Sequence, residues 1–302
     1  MKETVGFALK QPMTFDEQIL HLRNNRGLLI CDVDRAKKIL QSVNYYRLSA
    51  YGIGLMDKAA DRYHSGVTLE QIYSLYVFDS RLRNILNPVI EYIEIQLRTQ
   101  IAYQLAMQYG AEGYRNPNNF NYWFNKSKQT DAYTYFCEQL DSEIQKQKRK
   151  PFVKHHIDKY GGHFPIWVAV ELLSLGALST LYKIMKDPDQ KAVANFYRTK
   201  PDFVKSWFAA IVELRNTCAH YGRIYNMPLD SLPKLPRKNS EFFNRRFFTD
   251  CLAMRYITKT NSVWRTFVSN LRGIIDECEA INLSFIGFPD NWEELLSESV
   301  RA

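Results

Sequence analysis

Apolar residues recur along most of the chain at spacings of three and four, the repeat of one face of an α-helix. Thr14 and Glu17 form a capping-box pattern that opens a helix running to about Arg26, with Gly27 closing it. Asp34 is placed to cap the stretch 36–51 (AKKILQSVNYYRLSAY), in which Ile39, Leu40, Val43 and Tyr46 keep the helical period, and Gly52 and Gly54 end it. A second box, Thr68 with Gln71, starts the longest periodic stretch. There Ile72, Leu75, Leu82, Leu86, Ile93, Leu97, Ile101 and Leu105 trace one stripe, and Pro88 is expected to kink or split it. A polar, aromatic-rich loop follows Gly110, then a helix around 131–147. Pro165 suits the first position of a helix over 165–185 that is apolar nearly all round, as a buried central helix would be. Asp202 is placed to cap the stretch 203–221 and Gly222 to terminate it. Pro228, Pro233 and Pro236 mark a loop, and two or three more helices fill 240–300. These breaks predict a helical domain over 1–230 and an accessory helical extension over 231–302.

Composition supports an all-α fold. The chain has 302 residues, 46% of them apolar, with only 13 glycines and 11 prolines, too few for an architecture built on many tight turns. No run of about 18 apolar residues occurs, and the N-terminal MKETVGFALKQPMTF has neither an apolar h-region nor a small-residue cleavage site. No membrane span and no leader are expected. The five cysteines are scattered with no C-x-x-C pair, so reduced thiols and a cytoplasmic location are the expectation.

Forty Lys and Arg against thirty-two Asp and Glu give a net charge of +8, which points towards a polyanionic partner. The densest basic run, 145–156, carries Lys146, Lys148, Arg149, Lys150 and Lys154 with His155 and His156 and no acid among them. It is the candidate RNA-binding segment, together with Arg223. Aromatics such as Tyr114, Phe120, Tyr122 and Trp123 could stack bases. Phosphate-binding glycine loops, zinc-protease and serine-hydrolase motifs are absent, and adjacent histidines on a helix point about 100° apart. No metal and no cofactor are expected.

What remains is Arg215-Asn216-Thr217-Cys218-Ala219-His220 at the end of a long helix. Stepping about 100° per residue from Phe203, the residues Phe203, Trp207, Ala210, Ile211, Leu214 and Cys218 fall on one stripe, whereas Asn216 lies near about 220° and His220 near about 260°. His220 therefore projects alongside Ala209, Val212 and Ala219, away from the predicted core. A core histidine and an idle surface histidine are the alternatives to a functional one. An imidazole can move protons near neutral pH. Arg215 offers a planar charged fork matched to phosphate oxygens, and Asn216 shares a face with His220 at i,i+4. Glu91 and Glu94 lie on the helix of Arg98, and either could orient Arg215 or His220, although Glu94 and Arg98 also suit a plain i,i+4 pair.

The R-N-x-x-x-H element resembles the R-x(4–6)-H signature of HEPN ribonucleases. TFDEQI, AKKILQSVNYYRLSAY, FDSRLRNILNPVIEYIEIQLRTQIAYQLAMQYG, PIWVAVELLSLGALSTLY and LRNTCAHYGRIYN resemble the Abi-like family of abortive-infection proteins, of the AbiD and AbiF type. The blocks span roughly residues 12–227. The resemblance implies a HEPN-like helical bundle with additional N- and C-terminal helices, and a phage-defence toxin acting as a metal-independent endoribonuclease. It also implies Arg215, Asn216 and His220 as the catalytic set, a homodimer pairing two motifs, and in some members neutralisation by a small structured RNA. The chain departs from relatives at Tyr221-Gly222, where a second histidine often follows. A non-catalytic RNA-binding protein, or a helical protein that sequesters a phage or host factor, would fit the same charge pattern.

Overall fold

The computed structural model describes residues 9, 11–125, 129–259 and 261–298. Most of the N-terminal stretch on which no leader is expected lies outside them. The fold is all-α, and its strands among the described residues are two pairs of two-residue segments, Met56–Asp57 with Arg62–Tyr63 and Phe124–Asn125 with Thr130–Asp131. None of the helices described is long and apolar enough to cross a membrane. Two compact units divide the chain: Met1–Arg81 with Ile274–Asn282, and Leu82–Gly273 with Leu283–Ala302.

The first unit holds α1 (Phe15–Leu20), α2 (Val33–Ser42), α3 (Tyr45–Ser49) and the beginning of α4 (Leu69–Tyr109). Both halves of the first capping box form: the Thr14 N–H donates to Glu17 at 2.7 Å and the Glu17 N–H to Thr14 Oγ1 at 3.3 Å. The second box forms likewise between Thr68 and Gln71. Two expectations fail here. Asp32, not Asp34, caps α2 by accepting from the Arg35 N–H at 2.8 Å. The helix expected over 36–51 is broken, because Val43 is extended and the Asn44 side chain takes the Tyr46 N–H at 2.9 Å, starting α3 anew. A short polar side chain that bonds its own backbone competes with helix continuation.

In the second unit α4 continues through Pro88 without being split; the helix is 41 residues long. Leu82, Leu86, Val89, Ile90 and Ile93 are all buried on either side of the proline, and that burial outweighs the roughly 3 kcal/mol an interior proline costs. Then come α5 (Ala132–Lys146), α6 (Pro151–Tyr160), α7 (Ile166–Ala169), α8 (Leu175–Ile184), α9 (Asp187–Phe196), α10 (Pro201–Ala219), α11 (Phe247–Thr258), α12 (Ser262–Asp276), whose residues from Ile274 onward belong to the first unit, and α13 (Trp292–Ser297). The single helix expected over 165–185 is interrupted at Leu173 and Ser174. Ser174 caps α8 by accepting from the Ala177 N–H at 3.2 Å, and the Leu173 carbonyl accepts from Arg98 at 2.9 Å. The helix enclosed on every side is α11, all of whose residues are buried.

Candidate functional site

Helix α10 starts with Pro201 at its first turn, where a missing N–H costs nothing. Lys200 occupies the cap position, and Asp202 lies within the first turn instead of capping it. The helix packs against α8, α9 and α11, so its buried face is wider than a single stripe. Val204, Trp207, Phe208, Ala210, Ile211, Leu214 and Cys218 are buried, with Val204 and Phe208 joining the predicted set and Phe203 only half-buried. Asn216 and His220 are exposed, and Arg215 is half-buried. The expected projection of Asn216 and His220 away from the core is what the structure shows.

The end of α10 is built by backbone bonds. His220 is the C-cap, with its N–H on the Asn216 carbonyl at 3.0 Å, and Tyr221 takes the left-handed conformation with φ 56°. The Gly222 N–H then closes on the Thr217 carbonyl at 2.7 Å. The helix thus ends before Gly222, and the glycine is needed for a different reason from the one expected: a Cβ there would meet Thr217 Cγ2 at 3.0 Å and its carbonyl oxygen at 3.2 Å. Buried Arg83 donates to the Gly222 carbonyl at 3.0 Å and so pins the turn that follows His220. Nothing in the local sequence signals this, since the partners lie far apart along the chain. Arg215 donates to the Asn216 Oδ1 at 3.2 Å. Among the described residues the Asn216 amide is bonded to Arg215 and not to His220.

A groove of about 630 Å³ runs along this exposed side, with Ala209, Val212, Asn216, Thr217, Arg223 and Met227 among its walls. Its far wall is the loop after α10, drawn back by Glu213, whose carboxylate accepts from the Asp230 N–H at 2.9 Å and the Ser231 N–H at 2.5 Å. Arg223 is half-buried and reaches Met227 Sδ at 3.0 Å.

The two candidate glutamates stand elsewhere. Glu94 pairs with Arg98 at 2.7 Å, and Arg98 also approaches Glu171 at 3.7 Å; Glu91 is exposed. Neither is bonded to Arg215 or His220 among the described residues. In the basic run, Lys146 is paired with Glu143 at 2.8 Å and Lys154 with Asp158 at 2.5 Å, two acids just outside the run. Lys148, Arg149 and Lys150 are exposed in and beside the turn before α6, with no carboxylate in ion-pair range among the described residues. Of the candidate stacking rings, Tyr114 and Phe120 are buried and cannot face a base, with the Tyr114 hydroxyl donating to the Phe164 carbonyl at 2.6 Å. Tyr122 and Trp123 are exposed. Among the described residues no group of three or more His, Cys, Asp or Glu is arranged to hold a metal ion.

The sequence pattern of the family described as Abi-like protein matches residues 38–226, more than half of the chain. The chain belongs to the Abi-like family. Membership supports a role in abortive infection of phage. No curated protein and no solved structure matches this Abi-like chain. The matched span includes Arg83 and all of α10. Because Arg83 is a charged donor to a part-buried carbonyl, Arg83→Leu is expected to lower the stability of this Abi-like protein by about 1.5–3 kcal/mol. Urea unfolding measures it, and an unchanged midpoint would show that the turn holds itself.

Proposed function

We propose that this Abi-like protein is a cytoplasmic phage-defence toxin that cleaves RNA as a HEPN-type, metal-independent endoribonuclease. The observation that supports the reading is the exposure of Asn216 and His220, with Arg215 bonded to the Asn216 amide, at the end of a helix whose opposite face is buried. Asn216 also lines the groove along α10, and in this reading His220 supplies the proton donor or acceptor and Arg215 the phosphate-matched cation.

The chemistry these groups supply is transesterification. One imidazole takes the proton of the 2′-OH as its oxygen attacks phosphorus; the P–O5′ bond breaks and O5′ takes a proton from a second imidazole. Arg215 offsets the charge on the phosphorane. A single motif supplies one histidine for two proton transfers, so the reading includes a homodimer that pairs two motifs. RNA is the substrate, a small structured RNA is the restraining partner in the uninfected cell, and Lys148, Arg149 and Lys150 guide the strand.

The test is the end chemistry of RNA cut by the purified protein. Cleavage is expected to persist in EDTA and to leave a 2′,3′-cyclic phosphate and a 5′-OH. Strict dependence on added Mg²⁺, or 5′-phosphate ends, would remove the assignment. The exposed Tyr122 and Trp123, with Lys183 Nζ 6.0 Å from the Trp123 ring, favour a second reading, in which the protein holds RNA without cutting it; an intact bound RNA would select it.

A further inference from the structure

Three of the chain's six histidines line one cleft of about 400 Å³, with Glu112, Tyr160 and Trp167 among its other walls. The local backbone explains why they meet. Helix α6 carries His155, His156 and Tyr160 on its last turns and ends at Gly161 and Gly162, both left-handed with φ 60° and 85°. The chain therefore reverses at once, and the His163 N–H bonds the Tyr160 carbonyl at 3.0 Å. The Ile166 N–H then bonds the Ala111 carbonyl at 2.8 Å, which brings Glu112 beside His163. The carboxylate of Glu112 lies 3.0 Å from His163 Nδ1.

Two of the imidazoles are oriented. His156 Nδ1 lies 2.8 Å from the Phe152 carbonyl, which can only accept, so the proton is on Nδ1 and Nε2 is left for a ligand. The His156 ring is stacked on buried Phe164 at 5.3 Å and 18°. His163 is held the same way through Glu112. Trp167 is 54% exposed and packs on no other ring among the described residues, and Tyr160 is 47% exposed. Charge at the cleft is mixed: Glu112 is one of its walls, and Lys159 Nζ sits 5.4 Å from the Tyr160 ring. Lys148, Arg149 and Lys150 precede the same helix, about 15 Å from its end at 1.5 Å per residue.

We propose that this cleft binds one unpaired nucleotide of RNA, its base against Trp167 and its polar edge or phosphate on the Nε2 atoms of His156 and His163. A free aromatic face beside oriented imidazoles, on a helix preceded by the exposed Lys148, Arg149 and Lys150, matches a stacked base on a polyanionic strand. Duplex RNA keeps its bases stacked and cannot enter. The inference rests on the reading that RNA is the ligand, but not on cleavage.

The experiment measures binding of a short single-stranded 2′-O-methyl RNA, which lacks the attacking hydroxyl, by fluorescence anisotropy in EDTA. Trp167→Ala is expected to raise Kd about five- to a hundred-fold, the range of one lost base stack, whereas Trp167→Phe should restore most of it. The deficit should vanish on an oligonucleotide made of abasic residues and on duplex RNA. Wild-type affinity in Trp167→Ala overturns the inference, as does equal binding of the abasic strand. Affinity seen only with added Zn²⁺ would assign the histidines to a metal and overturn it too. Cleavage of unmodified RNA, measured in parallel on wild type, reports the ribonuclease reading separately: cutting with an unaffected Trp167→Ala sinks only the cleft, and a Trp167-dependent strand that is never cut sinks only the nuclease.

Discussion

Replacing His220 with alanine is expected to abolish RNA cleavage and growth arrest while the protein keeps its fold. The side chain is exposed and bonded to nothing among the described residues, and surface substitutions of this kind shift stability by about 0.5 kcal/mol or less. The melting temperature should therefore move by about 1–2 °C at most. Loss of a positioned general acid or base costs about 10²–10⁴-fold, so the two readouts separate cleanly. Arg215→Ala should reduce cleavage comparably, and the double variant should be little worse than either, because groups that act as a unit are not additive. RNA affinity should fall modestly without the fixed charge of Arg215 and hardly change without His220. A core role for the histidine predicts a lowered melting temperature, and an idle surface role predicts no change at all. Growth arrest by a folded His220→Ala protein would refute the nuclease assignment.

The contrast between α10 and its surroundings explains what could be read from the chain. The exposure of Asn216 and His220 follows from residue spacing alone, since about 100° per residue is a property of every α-helix. The width of the buried face did not follow, because Val204 and Phe208 are covered only where neighbouring helices approach. Gly27 and Gly110 mark helix ends, whereas Pro88 marks none, and breaks are hidden where a small polar side chain makes them, as at Asn44 and Ser174. Arg83 is buried on the carbonyl of Gly222, a pairing made by tertiary structure that no local pattern marks. The same holds for Tyr114, a candidate stacking ring that is buried with its hydroxyl on the Phe164 carbonyl. The pairing of Lys146 with Glu143 and of Lys154 with Asp158 was open to local reading, since three- and four-residue spacings make neighbours on a helix. The histidine cleft combines both cases: His155 and His156 stand together in sequence, but the reversal at Gly161 and Gly162 is what adds His163 and Trp167.

Ala209→Glu is expected to separate the proposed dimer and, with it, to remove cleavage. Ala209 is half-buried one helical turn from Glu213 and forms part of the groove wall beside Asn216. A small side chain there lets a second backbone come close, and a carboxylate in its place would have to be buried unpaired at the contact, facing its own copy across a two-fold axis. Sedimentation should show a monomer at micromolar concentration, folded by circular dichroism, with RNA cleavage reduced at least about a hundredfold if acid and base come from different chains. Mixing separates this from a merely damaged surface. When wild-type chains exchange with a ninefold excess of His220→Ala chains, a site needing both motifs survives only in wild-type pairs, about one hundredth of all dimers, whereas independent sites would keep about one tenth of the activity. Retention of that tenth, or full activity in the Ala209→Glu monomer, would show that each chain carries a complete site and that the second histidine must be sought within it.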